Sequence, residues 1–293
     1  ERLPAAVDHY LAALKLARQV GWREAQSTVL SNSAMAYWSM GRLGRAAEHL
    51  AEALTLDRQM GRLSGQAICL GNLGAVYNEL GRLQMSADTC VEAAALSRQV
   101  GSRDGEATAL TNLGCALRDL GRLDEAAAYL GQALAIRREG GYTFGEAHAL
   151  ESLAELHLDA GRHTEALRTA RTALLLARQV GAQRAEAEAL VTVGRTHQSQ
   201  RRPQQALEHH QEALALAQAN TDRGPEVAAH IGMAAACSGL GRHRNAVAHV
   251  EQALALAHES GHGLREGQAL TTAAEIHLRH RQYDLADRYA RRA

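Results

Sequence analysis

Proline and aromatic residues are scarce in this sequence. Of its 293 residues only three are proline, and phenylalanine, tyrosine and tryptophan together make up 3%. Because interior proline breaks helices, its scarcity permits an almost entirely helical chain. Hydrophobic residues nevertheless make up 46% of the chain, so alanine and leucine must do most of the packing. Small side chains let helices approach closely, which predicts a thin helical stack without a large central core.

A net charge is also lacking, because 32 basic residues balance 32 acidic ones. Surfaces that bind nucleic acid usually show a basic excess, so we expect no direct nucleic-acid binding by this segment. No apolar run approaches the roughly 20 residues that span a bilayer, and no signal peptide is visible, so we expect a cytoplasmic protein without a membrane contact. The four cysteines have no CxxC spacing and are expected to be buried thiols.

What the sequence does contain is a repeat of forty residues. The pair Gly-Arg returns at 41–42, 81–82, 121–122, 161–162 and 241–242, while 201–202 reads Arg-Arg and 281–282 reads Arg-Gln. A fixed period of this length is typical of a repeat array rather than of separate globular domains. We therefore predict a single array over residues 1–293.

Each repeat has the pattern of two antiparallel helices. Between positions 102 and 141, apolar residues recur at helical spacing from Leu110 to Leu120 and again from Leu123 to Ile136. Gly121, between these runs, suits the left-handed cap that ends a helix, and short connections make paired helices antiparallel. The pattern predicts an unpaired second helix at 1–21, full repeats at 22–61, 62–101, 102–141, 142–181, 182–221 and 222–261, and a truncated repeat at 262–293.

Two columns of small residues, each spaced by forty, identify the kind of repeat. One column reads Ala46, Ser86, Ala126, Ala166, Ala206, Ala246 and Ala286, and the other, which never varies, reads Ala53, Ala93, Ala133, Ala173, Ala213, Ala253 and Ala293. Together with the pairs Leu73-Gly74 and Leu113-Gly114 and with Tyr37 and Tyr77, they resemble the tetratricopeptide repeat, or TPR. The resemblance covers the whole chain, although the period is forty rather than thirty-four.

The resemblance implies an all-α, right-handed superhelix of about 15 helices, with the first helix of each pair on the concave side. Forty-residue TPRs are similar to those of LGN/Pins scaffolds and kinesin light chains. They also resemble the C-terminal arrays of actinobacterial SARP/AfsR-type and STAND-type transcriptional regulators. The arginine-rich composition, with Lys15 as the only lysine, favours this bacterial group. The resemblance therefore implies a sensor or interaction module of a larger regulator.

Asparagines form the most informative polar column of the first helices, at Asn32, Asn72 and Asn112, and Ser152 ends the series. An asparagine amide both donates and accepts hydrogen bonds, so it suits a peptide group. First helices about 10 Å apart would present one asparagine to roughly every third residue of an extended peptide. In LGN-like and kinesin-light-chain repeats this asparagine contacts the ligand backbone. The alternative is that each asparagine ties adjacent helices together.

Other polar or large residues of the first helices complete the candidate groove: Met35, Trp38, Asn78 and Arg118 in the N-terminal half, and Glu151, Glu155 and Arg195 in the C-terminal half. Trp38 is either an anchor for a ligand or a packing residue against the helix at 4–20. Glu155 and Arg195 share one column, one repeat apart, which predicts an ion pair between repeats. The alternative is a charged pocket for a polar ligand or a basic partner segment.

Three histidines, His157, His197 and His277, occupy the column that holds Tyr37 and Tyr77 in earlier repeats. This is a packing position in TPRs, so we expect partly buried, hydrogen-bonded imidazoles. A buried neutral histidine must take up a proton when the chain unfolds in acid, so the stability should fall as the pH drops.

Sequence motifs of catalysis are missing. The chain has no HExxH, no Cys/His zinc spacing, no phosphate-binding glycine loop after a strand and no nucleophile elbow. We therefore expect no enzyme activity, no metal and no cofactor. The leading hypothesis is a non-catalytic scaffold that binds a peptide or protein segment in its groove. Two alternatives stay open: a small-molecule sensor in the charged half, and a module that self-associates through uncapped terminal helices.

Overall fold

The computed structural model describes residues 2–293, and every regular element in that range is an α-helix. Turns of two or three residues join fifteen helices: α1 Arg2–Gln19, α2 Arg23–Ser39, α3 Leu43–Gln59, α4 Leu63–Glu79, α5 Leu83–Gln99, α6 Arg103–Asp119, α7 Leu123–Gly140, α8 Thr143–Asp159, α9 His163–Val180, α10 Gln183–Ser199, α11 Pro203–Ala219, α12 Arg223–Gly239, α13 His243–Ser260, α14 Gly263–Arg279 and α15 Tyr283–Ala290. The predicted all-α class and helix number are confirmed.

Glycine caps end most of the helices, as the turn between α6 and α7 shows. Gly121 has a φ of +78°. Its N–H donates to the carbonyl of Arg118 at 2.9 Å, and the N–H of Arg122 donates to the carbonyl of Leu117 at 2.8 Å. These two bonds form the Schellman arrangement, which satisfies carbonyls that a helix end would otherwise leave unpaired.

The left-handed turn persists where the glycine is missing. Arg201 and Arg281, at the two places where the Gly-Arg pair is lost, have φ values of +59° and +57°. Thr221 has a φ of +54°. A side chain in this conformation costs roughly 1–2 kcal/mol, because its Cβ crowds the backbone. The packing of the flanking helices, rather than the turn residue, therefore dictates the turn geometry.

Small residues occur where the two helices of a pair come closest. Ala126 and Ala133 of α7 are both fully buried. A Cβ added to Gly114 of α6 would lie 2.6 Å from Cγ of Leu130 and 3.3 Å from the carbonyl oxygen of Ala126. Only glycine leaves room there for Leu130, which is itself fully buried. Close approach at such columns is what lets a chain with few aromatics build a continuous core.

The described residues form two compact units, one up to Gly145 and one over Glu146–Ala293. In the N-terminal unit, apolar residues such as Leu30, Leu50 and Val76 build the core. In the C-terminal unit, the core includes Val227 and Val250. Within each unit the helices pack mainly on their neighbours in the chain, as α5 does on α4 and α6 and as α12 does on α11 and α13. The expectation of a single array over all 293 residues stays a prediction.

The strained turn at Arg201 leads to a stability prediction. Arg201→Gly should raise the free energy of unfolding by about 0.5–1 kcal/mol, because relief of the left-handed strain outweighs the greater chain entropy of glycine. Arg201→Ala is the matched control, since it removes the charge but keeps the Cβ. Urea denaturation of both variants measures the effect, and an equal gain from alanine would contradict the strain explanation.

Candidate functional site

The first helices form one side of each unit. In the N-terminal unit α4 contacts α6, and in the C-terminal unit α12 contacts both α10 and α14. Within each unit, consecutive second helices make no comparable contact with one another among the described residues. Because the first helices lie closer together than the second helices, each unit curves towards its first helices. We call this side the inner face, and concave faces of this kind are the binding surfaces of repeat proteins.

The asparagine column lies on α2, α4 and α6, but its members differ in what they contact. Asn112 is half-buried, and its Nδ2 donates to the carbonyl of Gly71 at 3.0 Å. This bond joins α6 to α4, so Asn112 is a tie between adjacent helices in this structure. Asn72 is half-buried and Asn32 is exposed, and neither side chain makes a hydrogen bond to another described residue. Two of the three amides therefore remain available.

Asn78 and Arg118 are both engaged with Asp119. The Nδ2 of Asn78 donates to Oδ2 of Asp119 at 3.0 Å, and Nη2 of Arg118 donates to Oδ1 at 2.9 Å. The side chains of Arg118 and Asp119 are only 10% and 8% exposed. The charge of Arg118 is thus neutralised beside it, and this end of the inner face of the N-terminal unit presents little net charge.

Met35 and Trp38 lie on α2, three residues apart. Trp38 is half-buried against the apolar cluster that contains Val7 of α1, Leu43 and Val76. This is the packing arrangement considered from the sequence, in which the indole covers the N-terminal core. Met35 is half-buried on the same helix.

In the C-terminal unit the charged residues pair with one another. Nη1 of Arg195 donates to Oε1 of Glu155 at 2.7 Å, and Nη2 donates to Asp159 at 3.2 Å. The predicted ion pair between repeats is therefore confirmed, with Asp159 as a further partner. Glu151 is 5% exposed and accepts a hydrogen bond from Oγ1 of Thr192 at 3.0 Å.

A second group of paired charges stands at the start of α10 and α12. The guanidinium of Arg184 donates to Glu188 at 3.0 Å and to Asp222 at 3.2 Å. Arg184 and Glu188 are four residues apart on one helix, a spacing that favours an ion pair. The contact with Asp222 of the next repeat has no such signal in the sequence. The inner face of this unit thus has many charges but little uncompensated charge.

Comparison with protein families decides what kind of repeat this is. A tetratricopeptide repeat model matches residues 66–139 and 145–219, which together are more than half of the chain, and another matches residues 27–60. The chain belongs to the tetratricopeptide repeat family. No curated protein matches it in sequence.

Several solved structures have the same TPR fold at low sequence identity. A Rap protein complexed with competence and sporulation factor is 15% identical, with a TM-score of 0.78 over 92% of this chain and 73% of that one. NprR in complex with its cognate peptide NprX is 16% identical, with a TM-score of 0.69 over 97% and 87%. A STAND protein with a tetratricopeptide repeat sensor from Pyrococcus horikoshii is 16% identical, with a TM-score of 0.62 over 97% and 42%.

The cysteines of this TPR chain are free thiols. Burial raises the pKa of Cys69 to about 11 and that of Cys90 to about 12, so neither is a thiolate at neutral pH. Among residues 2–293, no three or more His, Cys, Asp or Glu side chains are arranged to hold a metal ion. Within the same range, no helix has the length and apolar character needed to cross a membrane.

The histidines of the C-terminal unit include several in packing positions of the TPR. His197 is buried, and His277 is buried with Nδ1 at 2.6 Å from Oε1 of Gln282. Burial lowers the pKa of His157 and of His197. All three imidazoles are at least partly buried, as expected, but the expected hydrogen bond is present only at His277, because Nδ1 of His157 and Nδ1 of His197 have no hydrogen-bond partner among the described residues.

His210 is the most extreme of these histidines and was not singled out from the sequence. It is fully buried in the column that holds Leu50 and Leu130, and neither ring nitrogen has a hydrogen-bond partner among the described residues. A Cβ added to Gly194 would lie 2.6 Å from its ring. Burial lowers the pKa of His210 to about 3, with smaller contributions from Arg195 and His209. A polar residue in an otherwise apolar column was the available signal.

The burial of His210 leads to a pH prediction. The unfolded chain binds a proton at this residue below pH 6.5, whereas the folded chain does so only near pH 3. The free energy of unfolding should therefore fall by about 1.4 kcal/mol between pH 7.5 and 5.5 from His210 alone. The variant His210→Leu carries the residue found in sister repeats and should lose this contribution to the pH dependence of the unfolding free energy. Urea denaturation at both pH values tests this, and an unchanged pH dependence in the variant would contradict it.

The contrast between Asn112 and Asn72 leads to a second prediction. Asn112→Ala should cost about 0.5–1.5 kcal/mol of unfolding free energy, because the tie to Gly71 is lost. Asn72→Ala, the matched control in the same column, should cost less than about 0.5 kcal/mol. Equal costs, measured by chemical denaturation, would show that the tie does not stabilise the stack.

Proposed function

We propose that this chain is a non-catalytic module that binds an extended peptide or protein segment on the inner face of its N-terminal unit. The observation that carries the proposal is the pair of amides at Asn32 and Asn72, which have no partner in the described structure although they stand in regular register. An amide can donate to a peptide carbonyl and accept from a peptide N–H at once. Such pairing recognises the backbone of a ligand rather than its side chains.

The charge of this surface supports the same class of ligand. Arg118 is neutralised by Asp119, so the inner face around Asn72 is polar but nearly uncharged. A peptide backbone is also polar and uncharged, so it can bind there without the desolvation of an unpaired charge. Two of the similar TPR structures are complexes: the Rap protein is complexed with competence and sporulation factor, and NprR is in complex with its cognate peptide. We extend that mode of binding to this chain.

The module would act within a larger bacterial transcriptional regulator, as a SARP/AfsR-type or STAND-type sensor. This part of the proposal is supported by the similarity to a STAND protein with a TPR sensor. The match covers 42% of the length of that protein's chain. The arginine-rich composition also fits this group. In such a regulator the module would lie in the cytoplasm and bind its partner without catalysing a reaction. Another domain would bind DNA.

The small-molecule alternative has less support than peptide binding. It relies on the charged side chains of the C-terminal unit, but Arg195 is engaged with Glu155 and Asp159, and Glu151 with Thr192. A polar effector would have to displace these partners. Self-association through the terminal helices stays a prediction.

Selection from a peptide library tests the proposed function. A phage-displayed library of random peptides, panned on the chain, should yield binders whose affinity falls roughly tenfold in the variant Asn32→Ala/Asn72→Ala, because two hydrogen bonds of about 0.5–1.5 kcal/mol are lost. Fluorescence anisotropy with synthetic peptides measures the change.

Gln132→Ala is the control for this experiment. Gln132 is an exposed amide on α7, a second helix, so its loss should leave peptide binding unchanged. The proposal fails if panning enriches no peptide, or if the enriched peptides bind the double asparagine variant as tightly as the unaltered chain.

A further inference from the structure

A shallow cavity of about 530 Å³ lies on the outer side of α9. Six residues of this second helix line it, together with Gln200 at the end of α10: Thr164, Leu167, Arg168, Arg171, Thr172 and Leu175. Leu175 is 60% exposed, and both arginines are exposed. We call this surface the α9 cavity. It belongs to the C-terminal unit, on a second helix rather than on the inner face.

The repeat provides an internal comparison that sets α9 apart from its sister second helices. At the position of Arg168 the second helices from α1 to α13 carry acidic residues or alanine, as at Glu48, Asp88 and Glu208, and only the short last helix, α15, also has an arginine, Arg288. At the position of Leu175, α1 carries a lysine and the other sister helices carry threonine or alanine: Lys15, Thr55, Ala95, Ala135, Ala215 and Ala255. Because these positions are exposed, the stacking of repeats does not require the change. Among the second helices of the described range that contain both positions, only α9 combines a basic residue at the first with a large apolar residue at the second.

The two arginines of the α9 cavity are not engaged in ion pairs. Neither Arg168 nor Arg171 forms an ion pair with any residue of the described range. The arginines also affect the pKa of nearby histidines. The pKa of His197 is lowered first by burial and then by His209 and Arg171. The pKa of His157 is lowered by burial and by Arg162, with a smaller lowering from Arg168 that the carboxylate of Glu165 opposes. A chain with no net charge therefore carries a local positive surface.

We propose that the α9 cavity docks an acidic segment of a protein partner, with two carboxylates on the arginines and an apolar side chain against Leu167 and Leu175. Residues three apart on a helix are neighbours on its surface, so Arg168 and Arg171 present two guanidinium forks side by side. Each fork matches a carboxylate in shape and charge. This site goes beyond the inner-face binding proposed above and does not depend on it.

Other occupants fit the α9 cavity less well. A small molecule needs a concave site that covers most of its surface, whereas most of the residues around this cavity are exposed. A nucleic acid gains affinity from many phosphate contacts, and two arginines supply few of them. A protein segment brings its own surface to cover the apolar residues, so it is the occupant that the chemistry favours.

Peptide selection with a counter-selection step tests this site. Phage-displayed 12-residue peptides would be panned on the full chain, after removal of those that bind the variant Arg168→Glu/Leu175→Ala. Both substitutions install residues of sister helices, so the variant should fold, as circular dichroism would verify. The surviving peptides should contain at least two acidic residues around an apolar one. They should bind the unaltered chain at least about tenfold more tightly than the variant.

Two controls separate this site from general charge and from the inner face. Arg244→Glu makes the same charge change at an exposed arginine of α13 and should leave binding within about twofold. The variant Asn32→Ala/Asn72→Ala should bind these peptides as tightly as the unaltered chain does. A negative result for the α9 cavity is therefore distinct from a negative result for peptide binding on the inner face. The inference is overturned if no peptide survives counter-selection or if Arg244→Glu weakens binding equally. It is also overturned if Arg168 and Leu175 are required for the binding of phosphatidylglycerol vesicles or of a single-stranded oligonucleotide but not for the binding of any acidic peptide.

Discussion

The close approach of helices at a few small residues is the constraint on which this structure depends. The invariant alanine column, represented by Ala133, is buried from Ala53 to Ala253, and Gly114 leaves no space for a side chain beside Leu130. A larger residue at these points would separate the helices and expose the apolar stripe behind them. Because the repeats meet this requirement with glycine or alanine, each unit can stack its helices closely although the chain has few aromatic residues.

The same constraint explains why function has to be sought in departures from the repeat. Residues that the stacking requires recur every forty positions and carry no information about a ligand. The inner face differs between the two units: near Asn72 it is uncharged, whereas around Arg195 it is a set of mutually neutralised charges. On the outer side, Arg168 stands where several sister helices carry an acidic residue, as at Glu48 and Glu208. Each departure lies where a substitution costs the fold little, so selection for binding can act there.

Most of the fold was predictable from the sequence, because helix caps and apolar stripes are local properties. Gly121 and the alanine columns predicted the turns and the antiparallel pairs, which the structure confirms. The partners of polar side chains were less predictable, since they depend on how the repeats rotate against each other. The sequence could not tell whether Asn112 binds Gly71 or stays free, nor that Trp38 lies against the core with Val7. The pair of Glu155 and Arg195 was predictable because both share one column.

The most direct measurement is a crystal structure of the chain with a peptide selected for inner-face binding. The peptide should lie along α2, α4 and α6, with its backbone about 2.9 Å from the side-chain amides of Asn32 and Asn72. Its side chains should make fewer polar contacts than its backbone. A peptide found against the second helices, or one on the inner face without a contact to either asparagine, would contradict backbone recognition by the asparagine column.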